Sequence, residues 1–180
     1  MTDEVGREAA RYRLQATYVG RGHYLAAEAY EWGDRALGVP VVVGSTALAS
    51  SIFARWDAKP NTWWDTVSGV LAAVVAVLAA LQTFLKFAER AAAHKAAGAN
   101  YGEARRRLDL FLLQPVDGTD VPRNRRLEEL SLLTDRLGQL ASTSPHLPAK
   151  YYNRAQTEQA AAAAEYEALV AASASRQPDA

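Results

Sequence analysis

Two stretches of this chain carry no formal charge, and they limit its fold more than any other feature. Between Arg35 and Arg55 lie 19 residues without Asp, Glu, Lys or Arg, and between Asp65 and Lys86 lie 20. No other stretch is both that long and that apolar. An uncharged apolar run of about 18 residues or more reads as a transmembrane helix, because it matches the thickness of the bilayer's hydrocarbon core. The rest of the composition excludes more than it assigns. The chain has 180 residues, a formal net charge of zero and no cysteine. Its length suits one compact unit or two very small ones. Neutrality removes the usual electrostatic argument for nucleic-acid binding. The missing cysteines exclude disulfides, thiolate zinc sites, iron–sulfur clusters and a cysteine nucleophile.

The two runs differ in strength. The first, Leu37 to Phe53, holds eight large apolar residues, diluted by Pro40, Gly38, Gly44 and four hydroxyl side chains. Pro40 costs little in the first turn of a helix starting near Gly38, but kinks a helix running through from the N-terminal segment. The second, Val67 to Leu85, has Val, Leu or Phe at ten of its 19 positions and is the stronger span. The connector between them carries Trp56, Trp63 and Trp64, and Trp32 precedes the first run. Indole rings favour the membrane–water boundary, so these four read as interface residues. Asp65 or Thr66 is the expected N-cap of the second helix.

The flanks have helical periodicity. Tyr12, Ala16, Val19 and His23 recur at three- and four-residue spacing, and Ala26, Ala27 and Tyr30 continue the face, with Gly20 and Gly22 as expected interruptions. With no proline between Pro60 and Pro115, the second span is expected to continue past Lys86 and Arg90 into a helix ending at the breaker 115–122. Leu127, Leu130, Leu133, Leu137 and Leu140 form one face of an amphipathic helix, and an alanine-rich helix follows Pro148. The expected fold is therefore all-α: a two-transmembrane-helix hairpin whose helices extend into the cytoplasm, plus two further cytoplasmic helices. It forms a single unit over residues 1–174, with spans at about 37–54 and 66–85, cytoplasmic helices at about 8–35, 86–114, 123–142 and 150–174, and a disordered tail at 175–180.

Two other readings fit less well. In a soluble bundle the runs would be core helices, yet core helices in small domains keep a polar face. In a signal peptide, Ala47-Leu48-Ala49 would be the cleavage site, but a long acidic segment would stand where a short basic one belongs. Of the 20 basic residues, Arg55 and Lys59 alone lie in the connector. Arg35, Lys86, Arg90 and Lys95 near the spans favour both termini inside.

Two segments mirror each other across the spans. His23 and Tyr30 precede the first, and His94 and Tyr101 follow the second, each pair seven residues or two helical turns apart. His23 with Tyr101 and Tyr30 with His94 both sum to 124, so a straight antiparallel hairpin places each histidine beside the other helix's tyrosine.

No motif for catalysis stands out, and no metal-ligand spacing or cofactor loop is recognisable; the expectation is a protein that is not an enzyme and uses no cofactor. The membrane residues carry more information. Gly44, Ser45 and Ser51 in the first span, and Gly69, Ala73, Ala76, Ala80 and Gln82 in the second, are small or polar residues at helix-packing spacing. They serve either the contact between the two helices or an oligomer around a narrow aqueous path. Arg105, Arg106 and Arg107, with Arg123, Arg125 and Arg126, form basic clusters that either meet anionic headgroups or a nucleotide, or pair with nearby carboxylates.

The order of these elements, with "HYLAAEAYEWGDRALGVP" before the first span, "FLKFAERAAAHKAAGANYGEARRRLDLFL" after the second and "PHLPAKYYNRA" further on, resembles the SLATT domain family, the SMODS and SLOG-associating two-transmembrane effectors. The resemblance covers about residues 10 to 155. It implies a protein of the bacterial inner membrane that forms oligomeric pores in anti-phage or conflict systems on a partner-generated signal. The chain has no recognisable nucleotidyltransferase or ligand-sensing domain, so the resemblance implies either a separate nucleotide-signalling or sensor partner or a response by the SLATT domain through some other route. The alternative is a non-conducting scaffold that anchors a cytoplasmic partner at the lipid bilayer.

Overall fold

The computed structural model describes residues 4–54, 62–114 and 123–174. Among them the secondary structure is helical, with no strand: α1 Glu4–Ala54, α2 Thr62–Leu85, α3 Phe87–Leu112, α4 Arg123–Thr143 and α5 Ala149–Ala174. Most of the connector, with Trp56, and the expected tail at 175–180 lie outside the described residues.

α1 is one helix through Gly20 and Gly22, where an interruption was expected, and Pro40 lies inside the same helix rather than in the first turn of a new one. Glycine is a weak helix former, but tertiary contacts outweigh a cost of about 1 kcal/mol when the missing side chain makes room for a neighbour. A second correction concerns Lys86. The expected helix runs straight on from the second span, yet Lys86 has φ 50°, the left-handed region, and separates α2 from α3. Thr62, not Asp65 or Thr66, begins α2, which leaves Asp65 in its first turn, where a carboxylate favours the positive end of the helix.

The chain divides into two compact units, Met1–Ala27 with Ala93–Ala180, and Glu28–Ala92. The first unit has a conventional core. Along α1 the inward positions Val5, Ala9, Tyr12, Ala16, Val19, His23 and Ala26 alternate spacings of four and three, and along α3 His94, Ala97, Tyr101, Ala104, Leu108 and Phe111 do the same. A strict seven-residue repeat of this kind keeps a seam of one helix on another. One cluster gathers Val5, Ala9, Leu108, Phe111 and Leu130. A second gathers Ala16, Tyr101, Ala104 and Leu140. The leucine face of α4 thus reaches both clusters through Leu130 and Leu140.

Ion pairs close the edges of this unit. Arg13 of α1 pairs with Asp109 of α3. Arg21 of α1 holds Glu158 of α5 at 2.9 Å, and Arg154 holds the same carboxylate at 2.9 Å from within α5. Arg126 of α4 is buried over the Phe111 ring, 5.1 Å from its centroid, so its aliphatic stem and flat guanidinium fill core space.

The second unit is built differently. Its contacts pair Gly33 with Phe87, Gly38 with Gln82 and Gly44 with Val75. The numbers in each pair add to 119 or 120, so this part of α1 and the stretch through α2 are antiparallel. Leu37, Val41, Gly44, Leu48 and Ser51 on α1, and Val75, Leu78, Gln82 and Leu85 on α2, are among the half-buried positions, again at alternating spacings of three and four. Yet Ala91 is the single buried apolar residue described in this unit.

Candidate functional site

The outer faces of the second unit are large, apolar and uncovered. On α1, Val39, Val42, Val43 and Phe53 are exposed, Val42 to 65%. On α2, Val70, Leu71, Val74, Val77, Leu81 and Phe84 are exposed, Phe84 to 80%. Monomers in water seldom leave such continuous apolar surface, since each exposed square ångström costs roughly 25 cal/mol. Among the described residues one helical stretch, Trp63–Leu112, is long and apolar enough to cross a membrane, and its most apolar window has no buried residue. At the polar ends of these faces lie Trp32, Trp63 and Trp64, all strongly exposed.

The polar groups on these faces are satisfied from within. Ser45 donates to the Val41 carbonyl at 2.7 Å, Thr46 to Val42 at 2.8 Å, Ser51 to Leu48 at 2.8 Å and Thr83 to Ala79 at 3.0 Å. Such back-bonding lets a hydroxyl sit in an apolar medium without an orphaned donor. Small residues divide into two roles. A Cβ on Gly44 would lie 2.6 Å from the Cγ2 of Val75, so the missing side chain at Gly44 makes room for Val75 at the α1–α2 contact. Gly69 has no atom within 4 Å of its Cβ position, and Ala73, Ala76 and Ala80 are exposed beside it. Those four form a free stripe on α2, while Gly44 and the half-buried Ser51 belong to the contact.

Gln82, half-buried, donates from Nε2 to the Asp34 carboxylate at 3.3 Å and lies against Gly38. Sequence reasoning singles out Gln82 but not Asp34. Their numbers add to 116, about one helical turn from the register of the glycine contacts, so that register alone does not pair them.

The mirrored residues meet as follows. In the first unit His23 stacks on Tyr101, with ring centroids 5.7 Å apart and planes at 16°. His23 also faces His94, Nδ1 to Nδ1 at 2.9 Å, and both imidazoles are buried, at 2% and 3% exposure. In the second unit Tyr30 packs on Phe87, centroids 6.2 Å apart. The histidine–histidine contact is not what the sequence suggests, because a symmetric mirror pairs unlike residues. Packing decides it: Gly20 and Gly98 each lie within about 3.5 Å of the other's carbonyl oxygen when given a Cβ, so α1 and α3 approach closely enough for facing imidazoles to touch.

Burial, and secondly the facing His94, lowers His23 to about 4. Burial also lowers His94. Tyr101 is raised by burial, which a hydrogen bond with Ser144 opposes. Both histidines are therefore neutral at pH 7. Among the described residues no group of three or more His, Cys, Asp or Glu is placed to hold a metal ion. An open groove of about 590 Å³ runs along α3 and α4, lined by Leu110, Leu132, Leu133, Arg107, Glu129 and Arg136 among others. Compared with family models, with curated proteins and with solved structures, the chain matches none.

Proposed function

We infer that the chain is an oligomeric membrane effector whose spans at 37–54 and 66–85 insert as a hairpin into the bacterial inner membrane, with both termini cytoplasmic. The observation that carries this reading is the contrast between the two units: one buries its apolar residues, and the other leaves its valines, leucines and phenylalanines uncovered on two long helices. Lipid is the solvent in which that surface costs nothing. The internally bonded hydroxyls and the tryptophans at the polar ends support the same reading.

Assembly follows from the free small stripe on α2. Without a hydrophobic drive in lipid, helices associate where small residues let them pack closely, and Gly69, Ala73, Ala76 and Ala80 offer that surface to a second copy. Several hairpins around an axis would enclose a narrow path, with Ser45 and Thr46 as its polar lining and charge near its mouth from Arg35, Lys86 and Arg90. With the SLATT-like sequence order, the function is to compromise the membrane in an anti-phage or conflict system when a separate nucleotide-signalling or sensor protein is triggered. In this reading the protein is no enzyme, uses no cofactor and binds no nucleic acid. Expression from an inducible promoter with a potential-sensitive dye tests it: depolarisation on induction with the triggered partner supports a pore, and full potential at high membrane levels of the protein overturns it.

The α3–α4 groove favours one second reading. Its exposed Leu110 and Leu132 would anchor a cytoplasmic partner to a membrane scaffold that does not conduct. Scrambling the exposed faces of the spans while keeping them apolar separates the two readings, because a scaffold tolerates it and a pore does not.

A further inference from the structure

The membrane reading leaves one cluster unused, the imidazole pair of the first unit. His23 comes from α1 and His94 from α3, and they meet beside the close approach of Gly20 and Gly98. Tyr101 of α3 covers His23 and is hydrogen-bonded to Ser144 beyond α4. Tyr24 of α1 lies over Gly98 of α3, and the Arg21–Glu158 ion pair ties α1 to α5 two residues before His23. Tyr101, Tyr24, Arg21 and Glu158 are thus among the titratable and charged groups of α1, α3 and α5 near the pair.

An imidazole offers one donor and one acceptor when neutral and two donors when protonated. Two Nδ1 atoms at 2.9 Å can share one hydrogen bond only if one carries the proton and the other a lone pair. In the neutral pair one ring is the Nδ1–H tautomer and the other the Nε2–H tautomer. A first added proton goes to the free Nε2 of the donor ring and leaves the Nδ1–H···Nδ1 bond intact. A second can go only to the accepting Nδ1. Two N–H groups then point at each other and two cations lie side by side in a buried site, an arrangement that separation of the rings relieves.

We propose that His23 and His94 are an acid-released clasp between α1 and α3, closed by a single N–H···N bond while the pair is neutral and forced open by double protonation. Gly20 and Gly98 already bring backbone against backbone, so the rings cannot part without the helices moving. Burial, which holds both imidazoles neutral at pH 7, sets the release in an acidic range, well below the titration of a free histidine. This inference stands on the first unit alone, and holds whether or not the second conducts.

The test uses the full chain in detergent micelles, labelled with ¹⁵N-histidine and carrying His146→Gln to leave two histidine signals. The expected result at pH 7.5 is one ring protonated at Nδ1 and one at Nε2, both neutral, with both midpoints below that of a free histidine. Hydrogen exchange supplies the second readout. Protection of the amides in 16–27 and 93–104, corrected for intrinsic rates, should fall about tenfold or more between pH 7 and 4.5. In His94→Gln, which keeps a hydrogen bond to His23 but takes no charge, it should fall less than about twofold. Midpoints near the free-histidine value of about 6.5, two rings in the same tautomer, or equal loss of protection in both proteins would overturn the proposal. The spectra need neither histidine of the pair replaced, so they decide the matter even if His94→Gln does not fold.

Discussion

Gly44 of α1 and Val75 of α2 are in such close approach that a Cβ on residue 44 would lie 2.6 Å from the valine Cγ2. No real Cβ tolerates that distance, so the valine or the helix must shift. Gly44→Ala should destabilise the second unit by about 1–3 kcal/mol, the usual cost of overpacking. Gly44→Ala with Val75→Ala should recover most of that loss, as expected for residues in contact. Gly69→Ala, with open space around it, should be neutral or stabilise by up to about 1 kcal/mol. Thermal unfolding in detergent checks all three. Equal losses for Gly44→Ala and Gly69→Ala would remove the distinction between contact and free stripe.

The histidine pair makes the first unit sensitive to acid. His23 is lowered from about 6.5 in the unfolded chain to about 4 when folded. Unfolded chains therefore bind more protons between those values, and stability rises with pH there. The contribution is fully present above pH 6.5, falls as pH drops toward 4, and changes little below. Lowering a histidine that far is worth about 3 kcal/mol at most. His23→Phe, which keeps the ring against Tyr101, should flatten the dependence of Tm between pH 6.5 and 4. An unchanged slope would show that another group carries it.

Glu158 holds α5 to α1. The hydrogen bond from Arg21, with a further one from Arg154, keeps its carboxyl below the usual carboxylate range. A lowered acid stabilises the fold above its unfolded pKa, and the effect fades as pH falls below about 4.5. Glu158→Gln should raise the hydrogen-exchange rate of α5 at pH 7 and leave the core amides of α3 unchanged. Equal rates in α5 would mean that apolar contacts alone dock it.

Lys86 occupies the left-handed region at φ 50°, where a side chain costs about 1–2 kcal/mol. Lys86→Gly should therefore raise stability by up to about 1 kcal/mol, and Lys86→Val should lower it. If α2 and α3 ran on as one regular helix, Lys86→Gly should instead lower stability by about 0.5–1 kcal/mol. Detergent unfolding curves for the pair distinguish these outcomes.

The absence of cysteine makes orientation easy to measure. In the membrane reading, Asp65→Cys should react with an impermeant maleimide in intact spheroplasts, and Glu129→Cys only after lysis. Labelling of Glu129→Cys in intact spheroplasts would reverse the topology, and release of the protein into the supernatant without detergent would remove the membrane from the account.

Much of this architecture is legible along the chain. Apolar residues at three- and four-residue spacing mark α1 through Tyr12, Ala16, Val19 and His23, and α4 through Leu127 to Leu140, because helix periodicity is a local property that any single segment carries. The apolar run of α2 is equally plain, since hydropathy needs no partner to be read. Tertiary structure decided the rest. It placed Gly20 and Gly22, the expected interruptions, inside one helix, because neighbouring contacts outweigh weak intrinsic preferences, and it put Pro40 within that same helix rather than in the first turn of a new one. It put Lys86 in a left-handed turn between Leu85 and Phe87, with no glycine, asparagine or proline there to mark it. It paired His23 with His94, since the separation and offset of two helices are set by the side chains at their contact, and here by Gly20 and Gly98. The uncharged runs show by themselves that part of this chain is apolar enough to meet lipid. Only packing shows which of their residues face another helix and which are left for the surroundings, because that depends on what else fills the space.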